Sequence, residues 1–426
     1  MRSICKLLFV VCGFNFLAIL VLQWQSPDLM VNTVLEDSEM MNHDEPRLDL
    51  STALSDSRHM FKSLMFVFTG SSWSQLSASR LLCLGSQTSV DRLHELPELV
   101  NNWSGPVSIA VFAPDRELGI AVKYIQYLRS CHPAIDQQVS FHLLYPHEYP
   151  GQLNMRDYDE IAVDCQNPRE VLQSMLISRG ERMMQWRETY RYPQNHLRNV
   201  VKRACQTNFT YILDIDMIPN PEMSDQLETF LSHDQVSRQC VKCAFVTPTY
   251  EIEDDISHLP RNKSELIHLI KADKARPFHI EFFHLNQLSS NLSRWQQLPD
   301  SRDLEAAYKV NNYIFNYEPL YIARSDAPAF DERFIGFGMD RNSQVYEMIV
   351  AGYSFYVLNS AFTSHRGYQH LSSRPAWRAL QQEENNARFD DFAREISARY
   401  NSDPLGMLTQ GLKMLNLKKR KVSYDN

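Results

Sequence analysis

Two carboxylates one residue apart, Asp214 and Asp216, follow the apolar run Tyr211-Ile212-Leu213 and precede Met217-Ile218-Pro219. On an extended strand, residues two apart share a face, so both acids would point the same way. Pro219 lacks the N–H that a ladder needs, which puts the pair at the strand's C-terminal end, where open α/β sheets hold ligands. Two such acids repel each other unless a cation lies between them, and hard divalent ions favour oxygen ligands. A cation there would bridge to a diphosphate and neutralise a leaving group. An acidic pair alone is a weak signal, because most paired surface acids are simply solvated.

The residues around the pair decide how far that chemistry extends. His365, in Phe362-Thr363-Ser364-His365-Arg366-Gly367, follows the apolar run Phe355–Leu358 and is a candidate third ligand for an ion such as Mn²⁺. Thirteen other histidines compete with it; its strand-end position and the nearby Gly367, which permits close backbone approach, favour it. Arg198 and Asn199, on the helix expected after Pro193, are candidates for nucleotide contacts, since Arg offers fixed donors to phosphate. A third group is Asp331, Glu332 and Asp340, set beside Gly336 and Gly338. Any of these acids could take a proton from an attacking hydroxyl. Equally, Asp340 could cap the next helix, and Glu332–Arg333 could be exposed charge.

Elements able to position these groups alternate along the chain. Strands are expected at Val107–Phe112, Val139–Tyr145, Tyr211–Asp214, Cys243–Thr249 and Tyr353–Leu358, with helices after Pro114 and over Leu197–Ala204. Alternating strands and helices imply an α/β domain with a mixed, mainly parallel central sheet. No Pro/Gly/Ser linker divides residues 61–415, so one elaborated domain is expected, its N-terminal half facing a nucleotide and its C-terminal half an acceptor. With 44% hydrophobic and 11% aromatic residues the body is a packed one. A net charge of −8 argues against nucleic acid as a partner.

The termini and cysteines point to a secretory compartment. Residues 7–24 are apolar but for Gly13, Asn15 and Gln23, with Arg2 and Lys6 before them and seven acids against one Arg in 25–50. This predicts a cytoplasmic tail (1–6), a single transmembrane signal-anchor helix (7–24) and a luminal stem (25–60), in preference to a cleaved signal, for which no small-residue cleavage site follows Trp24. The basic run Lys418–Lys421 falls in a C-terminal tail, 416–426. Four sequons, at Asn102, Asn208, Asn262 and Asn291, are glycan candidates. Six cysteines remain beyond the anchor, an even number suited to disulfides whose pairing spacing does not reveal. Cys240 and Cys243 read as structural thiols or a local disulfide, since no second such pair exists to complete a zinc site.

An Asp-x-Asp is the signature of nucleotide-sugar transferases, and further blocks make the likeness specific. Tyr192-Pro193, Leu197-Arg198-Asn199, Tyr211 to Pro219, Asn262 to Leu266, Arg276-Pro277-Phe278, Ser293-Arg294-Trp295, Glu318-Pro319, Phe330 to Phe334 and His365-Arg366-Gly367 stand in one order over roughly residues 100–400. As a set they resemble the β-1,4-glucuronyltransferase group of glycosyltransferase family 49. The resemblance implies a GT-A fold and an inverting, Mn²⁺-dependent transfer of glucuronate from UDP-glucuronate. The acceptor it implies is a xylose-terminated O-mannosyl glycan on a glycoprotein of the α-dystroglycan kind. It also implies Golgi residence as a single-pass type II protein and association with other glycosyltransferases. Asp214, Asp216 and His365 become the implied metal set, and Lys263, Arg276 and Arg366 the implied candidates to meet the donor's carboxylate. The family commonly has Asn where this chain has Asp340, which ranks Asp331 ahead as base. The stretch His279–Leu292 is unmatched and leaves the acceptor side open. Rival readings are a UDP-xylose or UDP-N-acetylglucosamine transferase on the same scaffold, a non-catalytic glycan-binding protein, and a phosphoesterase, which would want a denser His/Asp cluster.

Overall fold

Strands with hardly any polar position need cover on both faces. Val107–Phe112 and Val139–Pro146 are of this kind, and every residue of both is buried. The computed structural model describes residues 48–406 except 154–163, 234–235, 237–238, 282 and 371–374. The expected cytoplasmic tail, the signal-anchor helix, most of the stem and the 416–426 tail lie outside the described residues. Among the described residues no helix is long and apolar enough to cross a membrane.

In chain order the strands are β1 (Leu54–Ser55), β2 (Phe61–Phe68), β3 (Leu82–Ser89), β4 (Val107–Phe112), β5 (Val139–Pro146), β6 (Phe209–Asp214) and β7 (Ile218–Pro219). They continue with β8 (Cys243–Thr247), β9 (Thr249–Ile252), β10 (Ala275–Pro277), β11 (Ala306–Lys309), β12 (Leu320–Arg324), β13 (Ser354–Leu358) and β14 (Thr363–Arg366). A ten-stranded sheet runs in the order β1-β2-β5-β4-β3-β6-β12-β8-β13-β11, and a four-stranded one in the order β10-β9-β14-β7. The α/β class stands, but the expectation of a mainly parallel sheet needs correction. In the large sheet β3/β4, β3/β6, β4/β5 and β8/β13 pair parallel. The pairs β1/β2, β2/β5, β6/β12, β8/β12 and β11/β13 are antiparallel. Two of these come from β12, which wedges antiparallel between β6 and β8 and so separates the parallel block from the parallel pair; the other three set β1, β2 and β11 antiparallel at the sheet's edges.

Residues 49–60, expected as stem, belong to the compact body, where β1 pairs with β2. The helix expected after Pro114 is Glu117–Cys131. Helix α1 (Gln194–Ala204) starts behind Pro193 and lays Leu197, Val200 and Val201 on β3 and β4 in a cluster with Phe61, Phe112 and Ile212. A Cβ on Gly85 of β3 would sit 2.9 Å from Val201 Cγ2, so the helix approaches this closely only because the residue is glycine. Two more helices matter to the site: α2 (Arg341–Val350) and α3 (Trp377–Tyr400), whose Phe389 and Phe392 pack with Phe334 and Tyr346 in a second core. The six cysteines among the described residues are paired, as Cys83–Cys205, Cys131–Cys165 and Cys240–Cys243. The first joins β3 to the end of α1 across 122 residues, a long loop closed in the unfolded chain. Of the sequon asparagines, Asn208, Asn262 and Asn291 are exposed and Asn102 is half-buried.

Gly85→Val is expected to lower the unfolding free energy by about 1–3 kcal/mol, the usual cost of overfilling a packed contact. The readout is a lower urea midpoint at unchanged slope. An unmoved midpoint would mean that α1 can back away from β3 at no cost.

Candidate active site

The chain leaves the large sheet at Asp214 and enters the small one at Ile218, and the turn between them builds the site. Met217 N–H donates to the Asp214 carbonyl (2.9 Å), closing that turn. Ile215 and Met217 are buried, which fixes the turn and leaves Asp216 to project. Here the same-face expectation is corrected: β6 stops at Asp214, so Asp216 stands on a turn and not on the strand. Pro219 lies in the two-residue edge strand β7, a position where a missing N–H is tolerated. Strand β14 pairs with both β7 and β9 and so carries His365 up to the turn.

His365 Nε2 lies 3.3 Å from Asp216 Oδ2. Its other nitrogen, Nδ1, is 3.1 Å from the Gly367 carbonyl, an arrangement that makes Nδ1 the donor and turns Nε2 toward the acid. Burial disfavours the imidazolium, but the Asp216 carboxylate outweighs it and holds His365 above its ordinary pKa. For Asp216 burial is likewise outweighed, by the hydrogen bond from His365 and by Arg92, and its carboxyl is held far below the usual range. Arg92 donates to Asp216 Oδ2 at 2.9 Å. Asp216 Oδ1, in contrast, is buried with no hydrogen-bond partner. Asp216 thus offers an unpartnered Oδ1 while its Oδ2 faces the imidazole, a donor set that suits a divalent cation.

Asp214 is held differently. Its Oδ1 accepts from Gln87 Nε2 at 2.9 Å and Arg198 at 3.2 Å, with Arg341 at 3.5 Å. Burial would raise its pKa, but Arg198 and then Arg341 outweigh it and keep the group ionised. Tyr192 O–H donates to Gln87 Oε1, which orients the amide. Arg198 is 3% exposed and donates from its other nitrogen to Asp340 Oδ2 at 2.8 Å. Asp340 takes the cap position of α2, yet its side chain makes no cap hydrogen bond because Arg198 holds it. Beside it, burial and then the Asp340 charge raise the pKa of Glu318. These groups, with Asp216, line one cleft of about 390 Å³, a volume that suits a small ligand.

The other residues singled out from the sequence fall elsewhere. Asp331 is clamped by Arg333 (2.6 Å) and Glu332 accepts from Asn199 Nδ2 (2.9 Å), and neither lines the cleft. The reason is that Phe330 and Phe334 turn into the cores and hold the intervening residues on another side. Asn199 is buried and grips the Phe330 backbone through both N–H and carbonyl contacts. Lys263 lies beneath the Trp295 ring and donates to the Trp295 and Asn359 carbonyls, and burial lowers its pKa to about 8. Arg276 is paired with Glu251 and Glu281, and Arg366 with Glu98. Thus Asp214, Asp216, Arg198 and Asp340 meet in the cleft with His365 at its edge, and the rest are structural contacts around it.

The sequence reading missed Gln87, Arg92, Tyr192, Glu318, Arg341 and Arg378, all of which line the cleft. Only Glu318 and Tyr192 had a signal, since both fall in blocks noted above. Arg198→Met is expected to destabilise the protein by about 2–4 kcal/mol, because it leaves two half-buried acids without the buried cation they share. Equilibrium unfolding measures this, and a loss below 1 kcal/mol would show that Arg341 alone suffices.

Residues 81–401 match the family described as a glycosyl-transferase for dystroglycan. Beta-1,4-glucuronyltransferase 1 of Bos taurus is 31% identical over 331 residues, spanning 75% of this chain and 76% of that protein. The Mus musculus protein of the same name is 32% identical over 325 residues, again 75% and 76% of the two chains. Xylosyl- and glucuronyltransferase LARGE2 of Rattus norvegicus is 26% identical over 334 residues, 76% of this chain and 40% of that one. Among solved structures, GalNAc-T7 with UDP, GalNAc and Mn²⁺ superposes with a TM-score of 0.39 and 9% identity over 78% of this chain and 56% of that one, a likeness too slight to weigh. Matched over this span by the family and by relatives above 30% identity, the chain belongs to the glycosyl-transferase for dystroglycan family and is a glycosyltransferase.

Proposed function

We propose that the chain is a metal-dependent, inverting transferase of GT-A type that moves glucuronate from UDP-glucuronate onto xylose in a β-1,4 linkage. The acceptor in this reading is a xylose-terminated O-mannosyl glycan on a glycoprotein such as α-dystroglycan. The glucuronyl group and the β-1,4 linkage follow the names of the relatives and dystroglycan follows the family description, while UDP, the xylose and the O-mannosyl glycan carry over from the resemblance in motifs. The observation that carries the metal dependence is Asp216, whose Oδ1 is buried and unpartnered while its Oδ2 lies 3.3 Å from His365 Nε2. Asp216 and His365 would hold the ion, with Asp214 in the same cleft, and Mn²⁺ accepts such mixed oxygen and nitrogen ligands. When bound, it supplies positive charge against a diphosphate. Three disulfides and exposed sequons support residence in the secretory lumen, and the apolar 7–24 segment supports a type II Golgi anchor.

The chain's own groups divide the remaining work. Arg198 and Arg341 keep Asp214 ionised and fix the turn that carries Asp216. The acceptor hydroxyl attacks the anomeric carbon as the bond to the β-phosphate breaks, and its proton passes to a carboxylate of the cleft. Glu318 fits that task better than Asp340, whose charge is committed to Arg198, because a base is most effective when its pKa lies near the working pH. For the donor's carboxylate, Lys263, Arg276 and Arg366 are committed elsewhere, whereas Arg378 lines the cleft. Its Nε is buried without a partner, and its guanidinium lies 5.2 Å from the Phe337 ring. A desolvated guanidinium with an open donor suits a carboxylate.

The full-length chain, assayed with Mn²⁺, a β-xyloside and a panel of UDP-sugars, should transfer from UDP-glucuronate alone. Activity should disappear with EDTA and fall by at least about 10²-fold in Asp216→Asn. Transfer from UDP-xylose or UDP-N-acetylglucosamine instead would overturn the donor assignment, and activity that survives EDTA would overturn the metal. Arg378→Met should raise KM for UDP-glucuronate roughly 10-fold or more while leaving UDP binding, measured by calorimetry, within about 2-fold. Equal losses in both would assign Arg378 to the nucleotide.

A further inference from the structure

A second constellation lies away from the cleft. Asp56, between β1 and β2, Glu332, before α2, and His196, in the first turn of α1, bring one ligand atom each to within 4.8 Å of one another. His196 Nε2 is 3.6 Å from Asp56 Oδ2 and 3.7 Å from Glu332 Oε2. These separations are too long for hydrogen bonds. They fit ligands about 2.0–2.2 Å from one shared ion, which a tetrahedral angle would set roughly 3.4 Å apart. The His196 side chain is only 2% exposed, and neither ring nitrogen has a hydrogen-bond partner.

The surroundings orient each donor. The other oxygen of Asp56, Oδ1, accepts from Phe61 N–H at 2.7 Å, and Glu332 Oε1 accepts from Asn199 at 2.9 Å. Glu332 thereby presents Oε2 to the imidazole, and Asp56 presents Oδ2, which also accepts from Arg58 N–H at 3.2 Å, as outer contacts do around metal ligands. The Phe61 ring, 4.5 Å from the imidazole, fixes its plane.

We infer that Asp56, His196 and Glu332 form a structural divalent-cation site of the zinc class, with water as its fourth ligand. It joins the N-terminal hairpin, the helix that carries Arg198 and the loop that leads to Asp340. It is independent of the reading of the cleft.

The test uses the full-length chain, stripped with chelator and then equilibrated with Zn²⁺ alone, as wild type, Glu332→Gln, Asp56→Asn and Asp216→Asn. Metal analysis should show one Zn²⁺ per chain fewer in Glu332→Gln and in Asp56→Asn than in the wild type. Asp216→Asn should keep this ion. Unfolding temperature gives a second readout: Zn²⁺ should raise it in the wild type and not in Glu332→Gln. In chelator, Glu332→Gln should unfold no earlier than the wild type, because removing one of two facing acids relieves repulsion. A protonated histidine bridging two acids predicts the opposite, destabilisation of Glu332→Gln in chelator as well, and that result overturns the site. Equal zinc content in wild type, Glu332→Gln and Asp56→Asn, or zinc lost only in Asp216→Asn, overturns it too.

Discussion

One guanidinium organises the cleft. Arg198 is almost wholly buried and bridges Asp340 at the start of α2 to Asp214 at the end of β6. A charge so placed is tolerated only when paired and hydrogen-bonded. Asn195, one turn earlier on α1, accepts from Arg198 and donates to the Asp331 and Asp340 carbonyls, so the loop before α2 is tied to the same helix. The position of α1 is in turn set by Gly85 beneath Val201. Helix, strand end and loop therefore share one electrostatic joint, and a shift in any one displaces two acids.

The acids of the Asp-x-Asp consequently do unlike things. Asp214 is neutralised by protein cations and orders the floor of the cleft. Asp216, one turn further on, is left with an oxygen that no protein group satisfies. The small sheet matters because it delivers His365 to the other oxygen of the same carboxylate: β14 is held between β7 and β9, so the histidine's height above the turn follows from backbone register. Asp216 and His365, the residues that would hold a cation, are thus brought together where the large sheet gives way to the small one.

Around this centre most arginines are already paired. Arg179 and Arg187 both meet Glu117 and Asp91, Arg276 meets Glu251, and Arg366 meets Glu98. Such pairs hold loops to the body and leave few cations for ligands. Arg378 stands out in the cleft because, among the described residues, its neighbours are the Phe337 and Trp377 rings and not carboxylates. Its donors therefore remain available to a charged substrate.

Local pattern alone disclosed much of the framework. The unbroken apolar runs of β4 and β5, the Pro-led start of α1 and the apolar approach to Asp214 identify themselves, because burial on both faces and helix initiation leave marks within a few residues. The acidic pair and His365 were also visible as donors of the right type, although Asp216 stands on a turn and His365 within β14 and not at the end of the strand before it. Strand β3 was not, since Gly85, Ser86, Gln87 and Thr88 are polar or small and buried by what covers them. Nor was the antiparallel insertion of β12, because strand order is set by long-range pairing that no local pattern records. The sequence could name Lys263, Arg276, Arg366, Asp331 and Glu332 as chemically able, yet a charged side chain's role depends on its nearest counter-charge, often a hundred or more residues away. Only the tertiary structure decided that Arg198 and Asp340 neutralise each other, that Lys263 is spent on carbonyls, and that Glu318 and Arg378 face the cleft. Residue type fixes what chemistry is possible, and three-dimensional proximity, with the burial that strengthens each charge, selects which of it is used.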